Sequence, residues 1–372
     1  MTKISEPIQI KSLQLKNRIV MAPIVTGLAI DNRVTEACIR WYEAPVRAGV
    51  ALVVLEASAV DSMGLIVPNQ FGIWDDSFIA GLKQLVDSIH RNGAKVIIQL
   101  VHSGGRAWRA EGDNTLRLSP SGVCLMSGPD SKEMNEAEIQ AVIDSYTASA
   151  IRAKQTGFDG IEIHAAHYYL YSQFLSPLTN RRQDKWGKDI EGRARIVVET
   201  IKAIRNVVGK DFIISCRMHA VELFDGGMST DDSAQIVKLL ETAGADIINA
   251  SAIGSGSWEI VDGKQQLQTT SVPPPTGKPG IYIPYTAKLK SACNIPVIAV
   301  GRLAEPGVAD VAMDSGIDLI AIARQIIADP QTPKKMLEGR YSDINPCKKC
   351  LNCFKTMRTG GIRCPVNVGW DG

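Results

Sequence analysis

The sequence predicts an α/β fold, a (β/α)8 TIM barrel, and three observations support that prediction. Eight short runs of apolar, mostly β-branched residues recur along the chain, as parallel strands buried on both faces do. Helical patterns separate the runs, and several of these patterns stop at a glycine. Eight strand-then-helix units in about 320 residues favour a closed barrel. A doubly wound open sheet is the alternative, although it is usually built from fewer strands.

Each element has its own signal in the sequence. Residues 9–17 alternate apolar and polar side chains and predict a hairpin that plugs the barrel floor. Long loops over residues 103–134 and 255–285 follow the third and sixth strands, and loops of this length are usually functional. The predicted strands are Ile19–Pro23, Ala51–Glu56, Lys95–Leu100, Gly160–His164, Phe212–Arg217, Asp246–Asn249, Pro296–Val300 and Asp318–Ile322. The predicted helices are Ser77–Asn92, Asn135–Thr156, Gly192–Val208 and Asp231–Ala243.

The composition is that of a globular protein and excludes several classes. The chain has 372 residues, of which 45% are apolar and 22% charged, and it can bury a large core. Its 41 basic and 39 acidic residues leave a net charge of +2, which offers no field for nucleic acid or an anionic membrane. No apolar run approaches the roughly 18 residues of a membrane helix. The first residues lack the apolar core of a secretory signal, so we expect a cytoplasmic protein.

Histidines collect where the predicted strands end. In a barrel of this kind, the chemistry lies at the carboxyl ends of the strands and in the loops that follow. His102, His164, His167 and His219 lie at such ends, and they are four of the five histidines in the chain. Any one of them is equally well explained as a hydrogen-bonded core residue. Four together favour a functional site.

A second group of residues at strand ends predicts an anion site. Gly301 and Arg302 follow the seventh strand, and Ala323 and Arg324 follow the eighth. Barrels of this fold often hold a phosphate there, because a glycine lets the backbone approach an anion and arginine binds its oxygens. A surface salt bridge is the simpler explanation of Arg324. The position favours a phosphate, and hence a mononucleotide cofactor or a phosphorylated substrate.

Half of the eight cysteines lie near the C-terminus. Cys347, Cys350, Cys353 and Cys364 fall within the last 26 residues, and such clustering in a cytoplasmic chain indicates a metal site rather than disulfides. Three close cysteines and a fourth, followed by Pro365, can surround one iron–sulfur cubane. Structural zinc is the alternative, since four thiolates also satisfy a tetrahedral ion. Zinc ribbons prefer two separated pairs, so the spacing favours the cluster.

Several segments resemble one enzyme superfamily. They are KNRIVMAPIVTGLA, GIWDD, IIQLVHSGGRA, IEIHAAHYYLYSQFLSPLTNRRQDKWG and the closing CKKCLNCF…CPVN. Together they resemble the old yellow enzyme superfamily over nearly the whole chain, and more narrowly its flavin/iron–sulfur branch. That branch contains 2,4-dienoyl-CoA reductase, enoate reductases and trimethylamine dehydrogenase. The histidine segment and the cysteine tail are the most specific parts of the resemblance.

The resemblance implies FMN at the barrel mouth. The backbone of residues 22–25 would lie along the flavin, and Ala57 and Gln99 would face its pyrimidine ring. Arg217 would lie near ring atoms N1 and O2, where negative charge develops in reduced flavin. The glycine and arginines of the anion site would hold the phosphate. The complete set is Ala22, Pro23, Ile24, Val25, Ala57, Gln99, Arg217, Gly301, Arg302, Ala323 and Arg324.

The resemblance also implies a substrate and a mechanism. His164 and His167 match the positions that bind the carbonyl oxygen of an α,β-unsaturated substrate, whose β-carbon takes hydride from flavin N5. Tyr169 matches the tyrosine that protonates the α-carbon, and a phenol suits this task because the enolate is strongly basic. The loop after the sixth strand holds no histidine, whereas the dienoyl-CoA reductases carry a catalytic one there. We therefore expect an enone, enoate or enoyl thioester as substrate rather than an extended diene.

The cysteine tail sets the expected domains and partners. We expect an FMN-binding TIM barrel over residues 1–340 and a [4Fe-4S]-binding segment over residues 341–372. Larger members of the branch continue into FAD- and NAD(P)H-binding domains, whereas this sequence stops at Gly372 and has no dinucleotide-binding motif. The cluster would relay electrons between FMN and a separate electron-donor protein, such as a flavoprotein or a ferredoxin. A truncated chain would look the same in sequence. The sequence is also compatible with a homo-oligomer.

Three functions compete at this point. The first is FMN-dependent reduction of an activated C=C bond. The second is oxidation of an amine or N-methyl compound, as in trimethylamine dehydrogenase, in which an aromatic bowl would bind the cation. Candidates for such a bowl are Trp108, Tyr168, Tyr171 and Trp258, although the histidine pair fits carbonyl recognition better. The third is an electron-transfer subunit of a larger complex. A non-enzymatic phosphate-binding barrel with zinc is a further alternative, and it is the least favoured.

Overall fold

Eight parallel strands close into a barrel in the computed structural model. The structure describes residues 3–126, 131–254, 256–261, 264–269, 272–273 and 277–368. The barrel strands are β1 (Ile19–Met21), β2 (Leu52–Ala59), β3 (Lys95–Val101), β4 (Gly160–Ala165), β5 (Ile213–Glu222), β6 (Ile247–Ile253), β7 (Val297–Ala299) and β8 (Leu319–Ile322). Each pairs with its neighbours in chain order, and β8 closes on β1, where Ile320 lies opposite Ile19. The predicted (β/α)8 barrel is confirmed.

Three strands run several residues further than their apolar runs predict, and the first of them, β2, reaches Ala59 rather than ending at Glu56. β5 continues to Glu222 rather than ending at Arg217, and β6 continues to Ile253 rather than ending at Asn249. Every residue of β5 and β6 is buried, because side chains fill the barrel from inside and helices cover it from outside. The register between β5 and β6 shifts just after Ser251. Arg217 and Asn249 interrupt the two apolar runs, so a search for apolar runs stops there and misses the buried residues that follow.

Helices lie outside the barrel. They are α1 (Glu36–Arg47), α2 (Ile79–Arg91), α3 (Glu136–Thr156), α4 (Leu170–Leu175), α5 (Ile190–Val208), α6 (Thr230–Ala243), α7 (Ile283–Lys290), α8 (Val308–Asp314), α9 (Arg324–Ala328), α10 (Thr332–Leu337) and α11 (Asn352–Thr356). The four predicted from the sequence, α2, α3, α5 and α6, end within about two residues of their predicted ends. At the start of α3, the Asn135 side chain accepts from the Glu138 N–H while the Glu138 carboxylate accepts from the Asn135 N–H. Gly157 ends the same helix with a left-handed φ of 96°. In the described residues, no helix has both the length and the apolar character needed to cross a membrane.

The hairpin predicted before the first strand is confirmed. Strands Ile8–Ile10 and Leu13–Leu15 pair antiparallel. Leu13 and Leu15 are buried and pack against the side chains that fill the barrel. That inner layer includes Leu52, Ile97, Ile213, Ile247, Ile298 and Leu319. The hairpin therefore closes the amino-terminal end of the barrel and leaves the carboxyl ends of the strands as the open face.

Each of the two long loops contains a pair of short strands. Within residues 103–134, Arg117–Ser119 pairs in parallel with Ser131–Glu133. Within residues 255–285, Gly256–Val261 pairs antiparallel with Lys264–Thr269. These segments carry few apolar residues in a regular pattern, so the sequence alone predicts loops there.

The C-terminal tail packs against the loop that follows β1. The Ile362 N–H donates to the Thr26 carbonyl oxygen at 2.7 Å. Gly27, at φ 68°, lies directly against the tail, since a Cβ at this position would overlap the Met357 carbonyl oxygen. Cys353 and Ile362 belong to the same apolar cluster as the barrel helices. The tail is thus held beside the barrel mouth, while its division from the barrel as a separate domain stays a prediction.

Candidate active site

One cavity of about 440 Å³ opens at the carboxyl ends of the barrel strands. It is lined by every residue that the resemblance assigns to FMN and by every residue that it assigns to substrate chemistry. The first set is Ala22, Pro23, Ile24, Val25, Ala57, Gln99, Arg217, Gly301, Arg302, Ala323 and Arg324. The second set is His164, His167 and Tyr169. Barrel closure brings these distant parts of the chain together, and their individual roles stay predictions.

The second set forms a compact group of rings. The His164 ring centre lies 5.0 Å from that of His167 and 5.0 Å from that of Tyr169, in edge-to-face arrangements. His167 and Tyr168 have positive φ values of 60° and 53°, a conformation that costs a non-glycine residue about 1–2 kcal/mol. This turn after β4 places the three rings on one wall of the cavity. The Arg106 guanidinium lies 4.9 Å from the centre of the Tyr169 ring.

Burial keeps both histidines neutral. It holds the pKa of His164 and of His167 well below the usual range, and the nearby Arg217 charge lowers both further. A neutral imidazole carries one N–H donor, which suits a carbonyl oxygen that gains negative charge. His167 Nε2 also lies 2.9 Å from the Ser251 hydroxyl oxygen. The pair can therefore bind an oxygen by hydrogen bonding without carrying a charge of its own.

Arg217 places a positive charge in the cavity wall. The residue is 8% exposed, and its Nε has no hydrogen-bond partner. Glu162 balances the charge, and its carboxylate accepts from Gln99, Asn249 and Ser215 at 2.7, 2.9 and 3.0 Å. Burial lowers the pKa of Arg217, and Glu162 acts in the opposite direction. A buried guanidinium with an unused N–H fits an anionic partner such as the ring edge of a reduced flavin.

The corner after β7 and β8 can hold a phosphate. Gly301 has φ 118°, and a Cβ there would approach the Tyr282 ring to 3.1 Å, so only glycine fits without strain. Arg324, the first residue of α9, has a buried Nη1 without a hydrogen-bond partner. Arg302 and Lys349 line the same cavity. This concentration of positive charge, together with an unused donor, fits the phosphate of FMN.

The cysteine tail reaches the cavity through Cys347, whose N–H donates to Gln325 Oε1 at 3.0 Å. Burial, and then the neighbouring Cys347, raise the pKa of the Cys353 thiol, and Cys364 adds to the effect. Cys350 is exposed. Among the residues that the structure describes, no group of three or more His, Cys, Asp or Glu side chains is set closely enough to hold a metal ion. The four-cysteine site is therefore not shown and stays a prediction.

A buried carboxyl connects the cavity wall with the tail contact. Glu56, in β2, accepts from the Thr26 N–H and hydroxyl at 2.8 and 2.7 Å and from the Tyr42 hydroxyl at 3.2 Å. Thr26 follows the residues predicted to lie along the flavin, and its carbonyl oxygen takes the N–H of Ile362. Burial raises the pKa of Glu56 to about 7. The carboxyl thus changes charge in the neutral range at a point where barrel and tail meet.

The Glu56 carboxyl should make the fold less stable as pH rises. Because its pKa rises from an ordinary 4.5 to about 7 on folding, its contribution is complete below pH 4.5 and is lost as pH rises through about 7. Glu56→Gln removes this dependence. Relative to the wild type, that variant should gain roughly 3 kcal/mol in free energy of unfolding between pH 4.5 and 8. Urea denaturation at both pH values measures the change, with the exposed Glu111→Gln as control, and equal pH dependence of Glu56→Gln and wild type would contradict it.

Two of the histidines at strand ends lie outside the cavity lining. His102 is buried beneath the loop after β3, where its Nδ1 accepts from the Gly104 N–H at 3.0 Å. His219 lies inside β5 and is fully buried. The grouping of four histidines therefore marks the right end of the barrel, although only His164 and His167 line the cavity.

The predicted aromatic bowl is not assembled from the residues that the structure describes. Tyr171 is buried, and its ring stacks on that of Tyr146 at 4.4 Å. Trp108 and Tyr168 are absent from the cavity lining. The side chain of Trp258 lies outside the described part of the structure. Aromatic residues near a strand end are therefore not enough to predict which rings reach the cavity.

Sequence reasoning misses Ser251 and Arg106. Ser251 lies in the part of β6 beyond the predicted end of that strand, so its position at the cavity is visible only in the fold. Arg106 belongs to a Gly-Gly-Arg segment after β3, and the sequence carries no sign that its Nη1 donates to the His167 carbonyl oxygen at 2.5 Å. Both contacts depend on tertiary structure.

Comparison with known proteins agrees with this geometry. The family model described as the NADH:flavin oxidoreductase / NADH oxidase family matches residues 3–343. An NADH oxidase from Thermoanaerobacter brockii is 37% identical over 369 residues, which make up 96% of this chain and 55% of that protein. The chain thus spans about half the length of this curated relative.

Two solved structures extend the comparison. The complex of 2-naphthoyl-CoA reductase with 2-naphthoyl-CoA superposes with a TM-score of 0.88 at 30% identity, over 99% of this chain and 58% of that one. Histamine dehydrogenase from Rhizobium sp. 4-9 superposes with a TM-score of 0.84 at 26% identity, over 98% of this chain and 52% of that one. The flavin/iron–sulfur branch stays a prediction. The chain belongs to the NADH:flavin oxidoreductase / NADH oxidase family, the old yellow enzyme superfamily of FMN-dependent oxidoreductases, as its motifs predict.

Proposed function

We propose that the protein uses FMN to reduce a C=C bond conjugated to a carbonyl group, in an enone, an enoate or an enoyl thioester. The observation that carries the proposal is the group of His164, His167 and Tyr169 rings in one cavity with Arg217. Two neutral N–H donors and a phenol match the needs of a carbonyl oxygen and of an adjacent carbon that takes a proton. The similarity to a reductase of an acyl-CoA thioester is in keeping with this substrate class.

The cofactor supplies hydride when it is bound, and this chain's residues hold and orient it. The backbone of residues 22–25 would support one edge of the ring, while Ala57 and Gln99 would face its pyrimidine part. The buried Arg217 charge would stabilise negative charge at that ring. Gly301, Arg302, Ala323 and Arg324 would bind the phosphate.

The substrate would lie against the ring wall. His164 and His167 donate to its carbonyl oxygen, which polarises the conjugated double bond and stabilises the enolate as it forms. The Tyr169 hydroxyl then gives its proton to the α-carbon, and solvent replaces that proton. The Arg106 guanidinium packs on the face of the Tyr169 ring and helps to fix its position. Apolar side chains of Ile66, Val272 and Pro273 line the same cavity and favour a substrate with an apolar body.

Cys347, Cys350, Cys353 and Cys364 would hold a [4Fe-4S] cluster that relays electrons to the FMN. Cys347 lines the cavity, and both Cys347 and Cys364 are near enough to Cys353 to raise the pKa of its thiol. The electrons would come from NAD(P)H through a separate flavoprotein or from a ferredoxin. A cluster next to the cavity would let one-electron donors feed a two-electron reduction.

Amine oxidation is the second candidate, because the chain also superposes on histamine dehydrogenase. An amine cation calls for aromatic faces or a carboxylate. Within the described lining, the only acidic side chain is Glu305, and it lies 3.9 Å from Lys349. Tyr169, Tyr282 and Phe354 do offer aromatic rings in the lining, but the neutral N–H donors of His164 and His167 favour a carbonyl oxygen over a cationic nitrogen.

An anaerobic preparation tests the proposal. It should contain FMN together with about four iron and about four sulfide per chain. After reduction with dithionite, 2-cyclohexen-1-one should restore the oxidised flavin band, while the saturated analogue cyclohexanone should not. FMN-loaded protein that fails with a broad panel of enones, enoates and enoyl thioesters would count against the proposal. Bleaching of the oxidised band by trimethylamine or histamine would favour amine oxidation instead.

A further inference from the structure

We propose that His219 and Glu222 are a positioning pair that fixes the turn carrying His167. The inference rests on the proposed function, because it concerns a side chain expected to bind the carbonyl oxygen. Neither member lines the cavity, and both side chains are only 1% exposed. They act through the backbone of His167 rather than on the substrate.

The turn needs support because its backbone is strained. His167 and Tyr168 are successive non-glycine residues at positive φ, and such a conformation persists only where the surroundings hold it. The His167 N–H donates to His219 Nε2 at 2.7 Å. At the other end of the same residue, Arg106 Nη1 donates to the carbonyl oxygen at 2.5 Å. These two bonds fix the peptide groups on both sides of the His167 side chain.

The first of these bonds decides the tautomer of His219. Because Nε2 accepts from the His167 N–H, the ring proton lies on Nδ1. Nδ1 faces Glu222 Oε1 at 3.3 Å and donates to it. The second carboxylate oxygen of Glu222 accepts from the Ser176 hydroxyl at 2.7 Å and from the Met228 N–H at 3.0 Å. Glu222 is thus surrounded by donors and can act only as an acceptor.

This arrangement makes the position of His167 depend on a carboxylate two contacts away. Glu222 keeps the proton on Nδ1 of His219, and that leaves Nε2 free to accept the His167 N–H. If the proton moved to Nε2, two N–H groups would point at each other and the turn would lose its support. The imidazole of His167 would then shift away from the carbonyl oxygen that it is expected to bind.

Glu222→Gln separates positioning from simple packing. The side chain keeps its shape, but one oxygen becomes an NH2 group. The Met228 N–H requires the amide oxygen on its side, so the NH2 group faces His219 Nδ1 and draws the ring proton to Nε2. We expect kcat/KM for 2-cyclohexen-1-one to fall about 10- to 100-fold, because an ångström of misplacement costs this much. FMN content should not change.

His219→Gln and His219→Leu give a second comparison. Glutamine can still present an oxygen to the His167 N–H, whereas leucine cannot. The kcat/KM of the glutamine variant should stay within about threefold of the wild-type value. The kcat/KM of the leucine variant should fall by about as much as that of Glu222→Gln. His90→Gln is the matched control, because His90 forms a histidine–carboxylate pair with Asp159 away from the cavity.

Nitrogen NMR of holoprotein labelled with 15N-histidine measures the tautomer of His219, which would not change between variants if the pair had a purely structural role. The chain has five histidines, and the His219 variants identify the signal of that ring. We expect Nδ1–H in the wild type and Nε2–H in Glu222→Gln. Nε2–H in the wild type, or wild-type kcat/KM in Glu222→Gln, would overturn the inference. If the wild type reduced no enone, the proposed function would fail. The positioning role of His219 and Glu222 would still be tested by NMR, through the tautomer of His219 and the shift of the His167 signal between wild type and Glu222→Gln.

Discussion

Tyr169→Phe is expected to slow product formation from 2-cyclohexen-1-one by about 100- to 1,000-fold. The change removes one hydroxyl and keeps the ring, so the contacts with His164 at 5.0 Å and with Arg106 at 4.9 Å survive. Substrate affinity should therefore change little, since the two histidines that bind the carbonyl oxygen are untouched. Rapid mixing of dithionite-reduced holoprotein with the enone, followed by product analysis, measures the effect.

The control for this change is Tyr285→Phe. Tyr285 is half-buried on α7 and does not line the cavity, so loss of its hydroxyl should leave the rate unchanged. Wild-type product formation by Tyr169→Phe would show that solvent or another group protonates the α-carbon. Loss of activity in both variants would point to a general effect on folding.

Gly27→Ala is expected to detach the tail from the barrel mouth. Its Cβ would overlap the Met357 carbonyl oxygen, which is backbone and cannot rotate away. We expect a loss of about 2–4 kcal/mol in the free energy of unfolding, from the overlap and from a positive φ. If the tail holds the cluster, iron content should fall as well, while FMN remains bound. Urea denaturation and iron analysis of the anaerobic protein measure both effects.

Gly339→Ala is the matched control for the tail prediction. Gly339 has φ 71°, close to the 68° of Gly27, but a Cβ there would meet nothing within 4 Å. This variant should lose only about 1 kcal/mol in the free energy of unfolding, from its backbone conformation alone, and should keep its iron. Equal destabilisation by the two alanines, with equal iron, would mean that the contact between Gly27 and Met357 does not hold the tail.

The fold was largely predictable because barrel strands carry a signal of their own. Buried parallel strands such as β3 and β8 are apolar on both faces, so the predicted and observed ranges agree to within a residue or two. The reciprocal caps of α3 and its glycine stop are equally local. β5 and β6 extend beyond their predicted ends, because Arg217 and Asn249 interrupt the apolar runs while the residues that follow, such as Met218 and Ala250, are again buried in the core.

The sequence predicts which residues share the cavity, their roles stay predictions, and the contacts that support them are not predictable from the sequence. The motifs alone pointed to His164, His167 and Tyr169, and the cavity is lined by all three. The sequence predicts His219 at a strand end, but no sequence pattern indicates that its Nε2 accepts from the His167 N–H. The metal ligation of the cysteine tail was inferred from spacing and resemblance, and the structure describes no metal-binding group there.

The sequence by itself determined where most strands begin, the ends of four helices, the order of the units and the motifs that identify the family, because each depends on neighbouring residues. Tertiary structure alone decided which polar side chains meet across the barrel. The bonds from Arg106 and His219 to the two ends of His167 join residues 61 and 52 positions apart. Such contacts arise only when the barrel closes, since closure brings the carboxyl ends of strands that are distant in the chain to one rim.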